Sequence, residues 1–290
     1  MPTDPVQLFL AVLELTLWFV GGGLLLWVLF SPRQRQRWLG VRSLPQLSLT
    51  PLEFVFGGIM IFVTGMAGTA IMQLTIGKQL SAATDHETLK LFLYGLANYA
   101  GSYVGWKFVF PYLTRHWQIG SNLPPPRSTR AILPWSEVTG YAMGTVLVAM
   151  PLLIVIGIGW IALLRLVGLP DQPQDLIALF AQMKSPWLVA GMLLIACVLA
   201  PIYEELAFRA GLYRYTRQKL GRVPALLISG FCFGALHGNW AGFLPLAVLG
   251  ILLALVYEAT GSIRVVIVAH GLFNLHTILM VLSGIMGPNA

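Results

Sequence analysis

Residues 187–208 read WLVAGMLLIACVLAPIYEELAF. A membrane-spanning helix needs about 20 mostly apolar residues to cross a hydrocarbon core of roughly 30 Å, and this run is long enough. It ends in two adjacent carboxylates, Glu204 and Glu205. A charge in or near hydrocarbon is costly unless it is paired or faces a polar cavity. The run therefore predicts a membrane helix, and the doublet predicts a functional site on that helix.

Apolar runs of this kind recur along the whole chain. The 290 residues are 57% hydrophobic and 10% charged, whereas soluble domains are about 25% charged. We predict an all-α, polytopic membrane helix bundle of about eight transmembrane helices. The predicted spans are 7–30, 54–76, 89–112, 139–163, 187–208, 223–239, 242–259 and 265–285. The first span is longer than the apolar core of a signal peptide, so we expect it to be retained.

The basic residues cluster in short segments between the spans. A net charge of +7 is compatible with nucleic-acid binding, but no soluble basic domain is present to hold nucleic acid, so we expect no such partner. The loops rich in Lys and Arg follow spans one, three and five, and such loops face the cytoplasm. Both termini are therefore predicted on the outer side. The residues concerned are Arg33, Arg35, Arg37, Arg42, Arg115, Arg127, Arg130, Arg214, Arg217, Lys219 and Arg222.

Prolines and cysteines add two smaller predictions. Three consecutive prolines in the segment 121–126 cannot continue a helix. They separate an N-terminal module of about three helices, residues 1–135, from residues 136–290, which hold the chemistry. Cys197 and Cys232 lie inside apolar runs, so we expect neither a disulfide framework nor a thiolate metal site.

The spacing of the residues around the doublet predicts different roles for its two carboxylates. Glu205 and Arg209 are four residues apart and share a helix face, so an ion pair is predicted, while Glu204 points about 100° away. Glu204 is then the candidate general base or acid. Pro201 is expected to kink the helix and to leave the Cys197 carbonyl free. The alternative is that the doublet is only a polar helix end, with Arg209 extending to the interface.

A histidine on the next helix is predicted to approach the doublet. If the helix continues to a turn at Gly221, Glu204 and His237 each lie roughly 25 Å from that turn and meet at one depth. His237 shares a face with Phe233, where a lone histidine is more often a packing residue. Proximity to a carboxylate favours a catalytic role for His237 over a packing role.

The last span carries a second polar pair. His270 and Asn274 are four apart. They either bond neighbouring helices or stabilise a developing oxyanion. The glycines beside the histidines, Gly234, Gly238 and Gly271, are predicted to allow close helix packing.

Three motifs in order, Glu204-Glu205-x-x-x-Arg209, Phe233-x-x-x-His237 and His270-x-x-x-Asn274, resemble those of the CPBP family. That family comprises CAAX prenyl proteases and bacteriocin-processing enzymes related to the type II CAAX prenyl endopeptidases. The resemblance covers roughly residues 139–285 and implies an intramembrane endopeptidase. It implies that Glu204 with His237 activates water and that His270 with Asn274 forms the oxyanion hole. Glu205, Arg209 and Phe233 would support the site.

Two mechanisms and two other functions stay open. Glu204, His237 and His270 are a set that could hold zinc with a free position for water, but no His-Glu-x-x-His motif is present, and we favour the metal-free route. The substrate is expected to be a membrane-embedded or lipidated protein, with CAAX-type processing included, and the site is expected to open towards the cytoplasm. The alternatives are a non-catalytic immunity or regulatory protein and an ion or proton transporter.

Overall fold

The computed structural model describes residues 5–41, 44, 47, 49–80, 86–119, 133–172, 180, 183 and 185–284; for 78–80, 86, 87 and 110–119 it describes the backbone alone. These ranges contain nine helices and no β-strand, which confirms the all-α prediction. The helices are α1 Pro5–Phe30, α2 Pro32–Leu39, α3 Pro51–Leu80, α4 His86–Ile119, α5 Trp135–Val167, α6 Pro186–Leu220, α7 Arg222–Leu236, α8 Trp240–Thr260 and α9 Ile263–Leu282.

Six of these helices are long and apolar enough to cross a membrane: α1, α3, α5, α6, α8 and α9. They contain six of the eight predicted spans, and the chain is a helical bundle of an integral, multi-pass membrane protein. The third predicted span lies in α4, which does not meet the same test of apolar character. The sixth lies in α7, which is apolar but shorter than the other spans.

The ends of two helices depend on glycine. Helix α6 continues past the doublet to Leu220 and stops at Gly221, which has a φ of +90°, as the turn argument required. Helix α7 stops at Leu236, earlier than the predicted end at residue 239. Gly238 has a φ of +61°, a left-handed conformation that ends helices and favours glycine. Its role is therefore in a turn and not in the predicted helix packing.

The chain forms two compact units. The second unit comprises residues 45–130 and 183–203, and its centre is the contact between α3 and α4. Glycines bring these two helices together, because a Cβ atom added to Gly68 would lie 2.2 Å from the carbonyl oxygen of Ala97. The Tyr203 hydroxyl also donates a hydrogen bond to the Tyr99 carbonyl oxygen (2.9 Å).

The first unit comprises residues 1–44, 131–182 and 204–290, and it contains the motif residues. Helix α5 packs against α1, α8 and α9, and the buried core is aliphatic, with Val138, Leu249 and Leu253 among its members. The predicted division at residue 135 came from the proline-rich segment and the family resemblance. That division stays a prediction. The compact unit groups α1 and α2 with the C-terminal helices, because α1 packs along α5.

Two arginine-rich segments lie at the same end of this unit. Nη2 of Arg222, which begins α7, donates to the carbonyl oxygen of Leu39 at the end of α2 (2.7 Å). Several residues used in the charge and proline arguments lie outside the described residues: Arg42, the segment 121–126, Arg127 and Arg130.

Candidate active site

Helix α6 widens on both sides of the doublet. π-Helical segments at Ile195–Leu199 and Leu206–Tyr213 flank the α-helical residues Ala200–Glu205. A π turn holds more residues than an α turn, and such turns occur frequently at functional sites. The wider turn before Pro201 gives its ring room beside the preceding carbonyls. The structure thus has a π-helical segment just before Pro201, where the sequence predicts a kink.

Glu205 and Arg209 form the predicted ion pair. Nη1 of Arg209 donates to Oε1 of Glu205 at 2.8 Å, and both side chains are fully buried. Nη2 of Arg209 donates to the Gly250 carbonyl oxygen on α8 (3.1 Å), and the guanidinium carbon lies 4.5 Å from the centre of the Phe233 ring. Arg209 therefore does not extend to the interface, and the alternative of a polar helix end is wrong for this pair.

His270 on α9 connects the two glutamates. Its Nδ1 lies 2.8 Å from Oε1 of Glu205, and its Nε2 lies 3.9 Å from Oε2 of Glu204. Because a carboxylate only accepts, Nδ1 of His270 carries the proton of the short bond. The His270 ring is nearly fully buried, while the Glu204 side chain is 28% exposed. The site therefore has a buried, hydrogen-bonded imidazole beside a partly exposed glutamate side chain, whose Oε2 is itself buried and has no hydrogen-bond partner among the described residues.

Buried ionic groups are tolerated when they are paired and hydrogen-bonded. Glu205 meets this condition through Arg209 and His270.

His237 lies at the C-terminal end of α7 and is half-buried. Its Nδ1 lies 2.7 Å from the Phe233 carbonyl oxygen. A carbonyl accepts, so Nδ1 carries the proton and Nε2 is an acceptor when the ring is neutral. Asn239, two residues on, begins α8 and its side chain accepts from the Gly242 N–H. The turn thus holds His237 between two helix ends.

Phe233 separates the two histidines. Its fully buried ring lies 4.9 Å from the His237 ring and 5.6 Å from the His270 ring, measured between centroids. Across the described residues, no hydrogen bond or ion pair joins Glu204 to His237. The direct neighbour of Glu204 is His270, which the sequence placed in the oxyanion hole. Asn274 follows His270 by one turn of α9 and is half-buried.

The zinc alternative does not fit these positions. In the part of the chain that the structure describes, no three His, Cys, Asp or Glu side chains lie close enough together to hold a metal ion. Glu204, His237 and His270 all belong to that part. Nδ1 of His237 is engaged by a carbonyl of its own helix, so only its Nε2 would remain as a ligand. We therefore derive no catalytic step through a metal.

Sequence reasoning missed a buried polar cluster near the site. Glu14 on α1 accepts a hydrogen bond from Nε1 of Trp18 (2.5 Å), and its other oxygen lies 2.8 Å from Nε2 of His276 on α9. The signal in the sequence was Glu14 itself, which is the single charged residue of the otherwise apolar α1. A buried carboxylate needs a partner, and His276 was the unassigned histidine of the last span.

A family model matches the motif region. Residues 186–276, less than half of the chain, are similar to the family described as type II CAAX prenyl endopeptidase Rce1-like. This segment contains every predicted site residue from Glu204 to Asn274, so the resemblance predicted from the motifs is confirmed for this part of the chain.

A curated relative agrees with the Rce1-like match. The chain is 30% identical over 92 residues to a Bacillus subtilis (strain 168) protein named "Putative membrane peptidase YdiL". The alignment covers 32% of this chain and 38% of that protein, so the chain spans well under half the length of the relative it matches. No solved structure matches the chain.

Proposed function

We propose that this protein is an intramembrane endopeptidase that hydrolyses a peptide bond of a membrane-embedded or lipidated protein. One observation carries the proposal: Oε2 of Glu204, a buried oxygen with no hydrogen-bond partner among the described residues, lies 3.9 Å from Nε2 of His270, a ring that Glu205 holds through Nδ1. A carboxylate base beside a positioned donor is the pair of groups that peptide hydrolysis by water requires. The Rce1-like match over residues 186–276 supports the same reaction class.

The proposed reaction begins with water bound to Glu204. The carboxylate takes a proton from this water as the water oxygen attacks the carbonyl carbon of the scissile bond. Nε2 of His237, the free acceptor of its ring, orients the second hydrogen of the water. General-base assistance of this kind contributes about 10²- to 10⁴-fold in rate.

The negative charge that develops on the carbonyl oxygen needs hydrogen-bond donors to stabilise it. We assign this role to the His270 ring, whose Nε2 is a donor when both ring nitrogens carry protons, and to the side-chain amide of Asn274, which follows it by one turn. A donor of this kind contributes about 10²- to 10³-fold. The tetrahedral intermediate then collapses, the C–N bond breaks, and Glu204 returns its proton to the leaving amine. Glu205 and Arg209 hold the His270 ring and do not touch the substrate.

We infer that the arginine-rich end of the first unit is cytoplasmic and that both chain termini are on the outer side. The positive-inside bias supports this orientation. The bond between Arg222 and the Leu39 carbonyl, which joins two of the basic segments, is consistent with it. Glu204 is about 24 Å along α6 from Leu220, at 1.5 Å per residue. An opening of the site towards the cytoplasm would need a polar path of that length.

Comparative proteomics of membrane peptides tests the proposed function. Cells expressing the wild-type protein are compared with cells expressing Glu204→Gln, and peptides that end at a new C-terminus are counted. Glu137→Gln is the matched control, because Glu137 is an exposed glutamate in the first turn of α5. We expect the cleaved peptides to disappear in Glu204→Gln and to persist in Glu137→Gln. Cleavage that continues in a correctly folded Glu204→Gln protein would refute the proposal.

A further inference from the structure

The first helix is bonded to the helix that carries His270. Glu14 on α1 is 4% exposed, and both of its carboxylate oxygens are engaged, one by Trp18 of the same helix and one by His276 of α9. The His276 side chain is 17% exposed. Breaking a carboxylate–imidazole bond at such a place would leave an unpaired polar group in hydrocarbon. The contact between the two helices is therefore specific.

The bond holds α9 from a different side than the one that faces the candidate active site. At 100° per residue, His276 lies about 160° around the helix from Asn274 and about 120° from His270. His270 faces Glu205 on α6, and His276 faces Glu14 on α1. A rotation of α9 about its axis would break both bonds. The two together fix where Nε2 of His270 points.

Helix α1 is itself closely held. Gly21 packs on α5 so tightly that an added Cβ atom would lie 1.9 Å from the Leu147 carbonyl oxygen. Helix α5 in turn packs against α9. Glu14 is therefore a fixed point against which α9 is aligned, and not a side chain that follows the movement of α9. Residues 186–276, the Rce1-like segment, include His276 but not α1.

We propose that Glu14 and His276 are positioning residues of the active site: their bond sets the rotation of α9 and so places His270 beside Glu204. The inference rests on the proposed function for its catalytic consequence. Its structural part, the placement of the His270 ring, can be measured without any substrate. A displacement of about 1 Å far from the chemistry can lower a rate about 10²-fold.

Histidine-selective ¹⁵N NMR in detergent micelles is the direct test. The chain has five histidines, and a His270→Asn variant assigns the His270 ring signals. We expect Glu14→Leu and His276→Leu each to shift the His270 ring signals. The exchanged pair Glu14→His with His276→Glu should bring them back towards the wild-type values. Thr16→Val is the matched control, because Thr16 is an exposed residue of α1 that bonds only its own helix.

Turnover of a peptide identified by the proteomics gives the second readout. We expect kcat to fall about 10- to 100-fold in the single variants with KM within about twofold, and the exchanged pair to recover most of the loss. A purely structural pair would lower the amount of folded enzyme without changing kcat per folded molecule. If Glu14→Leu does not fold, Glu14→Gln keeps the size of the side chain and an acceptor for Trp18.

The outcomes separate the two proposals. Unchanged His270 signals in folded Glu14 and His276 variants would overturn the positioning role, whatever the activity. Shifted signals with no peptide cleavage by the wild type would uphold the positioning role and refute the peptidase. Shifted signals with unchanged kcat would show that the bond places His270 but that this placement does not limit the reaction, which also overturns the catalytic part of the inference.

Discussion

Oε1 of Glu205 lies 2.8 Å from Nδ1 of His270, and the bond joins residues 65 positions apart in the chain. The same oxygen accepts from Nη1 of Arg209 at 2.8 Å. One buried carboxylate oxygen therefore connects α6 to α9 and fixes which nitrogen of His270 faces Glu204. The arrangement makes Glu205 a support for the histidine and leaves Glu204 free for chemistry.

Loss of Arg209 should be among the most damaging single changes. Arg209→Met leaves the Glu205 carboxylate without its cation at a site where both side chains are fully buried. Removal of one partner of a buried pair costs about 3–5 kcal/mol. We expect a large fall in the thermal unfolding temperature in detergent. The double variant Glu205→Met with Arg209→Met should be more stable than Arg209→Met alone, and the opposite order would contradict the buried-charge explanation.

Loss of Glu258 should lower the stability of the protein less than loss of Arg209. It is fully buried and accepts from Nε of Arg217 (2.8 Å) and Nε of Arg222 (2.7 Å), but each arginine side chain is 29% exposed. After Glu258→Gln both arginines can turn towards water. We expect a loss of about 1.5–3 kcal/mol, the range for hydrogen bonds to charged groups. The unfolding temperature should therefore fall less than in Arg209→Met, and an equal or larger fall would count against this account.

Close packing of α7 on α8 should make Gly234 intolerant of a side chain. A Cβ atom at Gly234 would lie 2.5 Å from the Phe243 carbonyl oxygen, which cannot move without the backbone of α8. Gly234→Val should cost about 1–3 kcal/mol, as overpacking generally does. The same change at Gly140, where an added Cβ atom meets nothing within 4 Å, is the control and should leave the unfolding temperature nearly unchanged.

Peptide cleavage should not depend on a bound metal. Glu204 and His270 are brought together, but no group of three His, Cys, Asp or Glu side chains among the described residues could hold a metal ion, so the carboxylate is expected to activate water unaided. We expect activity to survive exhaustive dialysis against a chelator, with zinc well below one ion per chain by elemental analysis. Loss of activity that added zinc restores would show that the metal-free mechanism is wrong.

Local spacing predicted the local part of the site. The ion pair of Glu205 and Arg209 follows from four residues on one helix, and such a relationship holds in any helix. The continuation of α6 to a turn at Gly221 was the condition of the depth argument, and the structure meets that condition. The family resemblance came from three such local motifs, each within a single helix turn.

Contacts between helices were predicted less well. The sequence paired Glu204 with His237, but no hydrogen bond or ion pair joins them among the described residues, whereas Nε2 of His270 lies 3.9 Å from the Glu204 carboxylate. Counting residues from the turn assumes regular helices, and the π-helical segment Leu206–Tyr213 lies between Glu204 and Gly221. The pairing of Glu14 with His276 was missed entirely, since nothing local links residues on the first and last helices.

The amino-acid sequence by itself determined that this chain is a helical membrane protein, because apolar runs of span length leave the backbone no other way to satisfy its hydrogen bonds in hydrocarbon. It also determined which carboxylates, histidines and amides are available for chemistry. Only the tertiary structure decided which of them meet. The rotation and depth of each helix are set by non-local packing, such as Gly21 on α5 and Gly234 on α8, and those rotations bring His270 between Glu204 and Glu205.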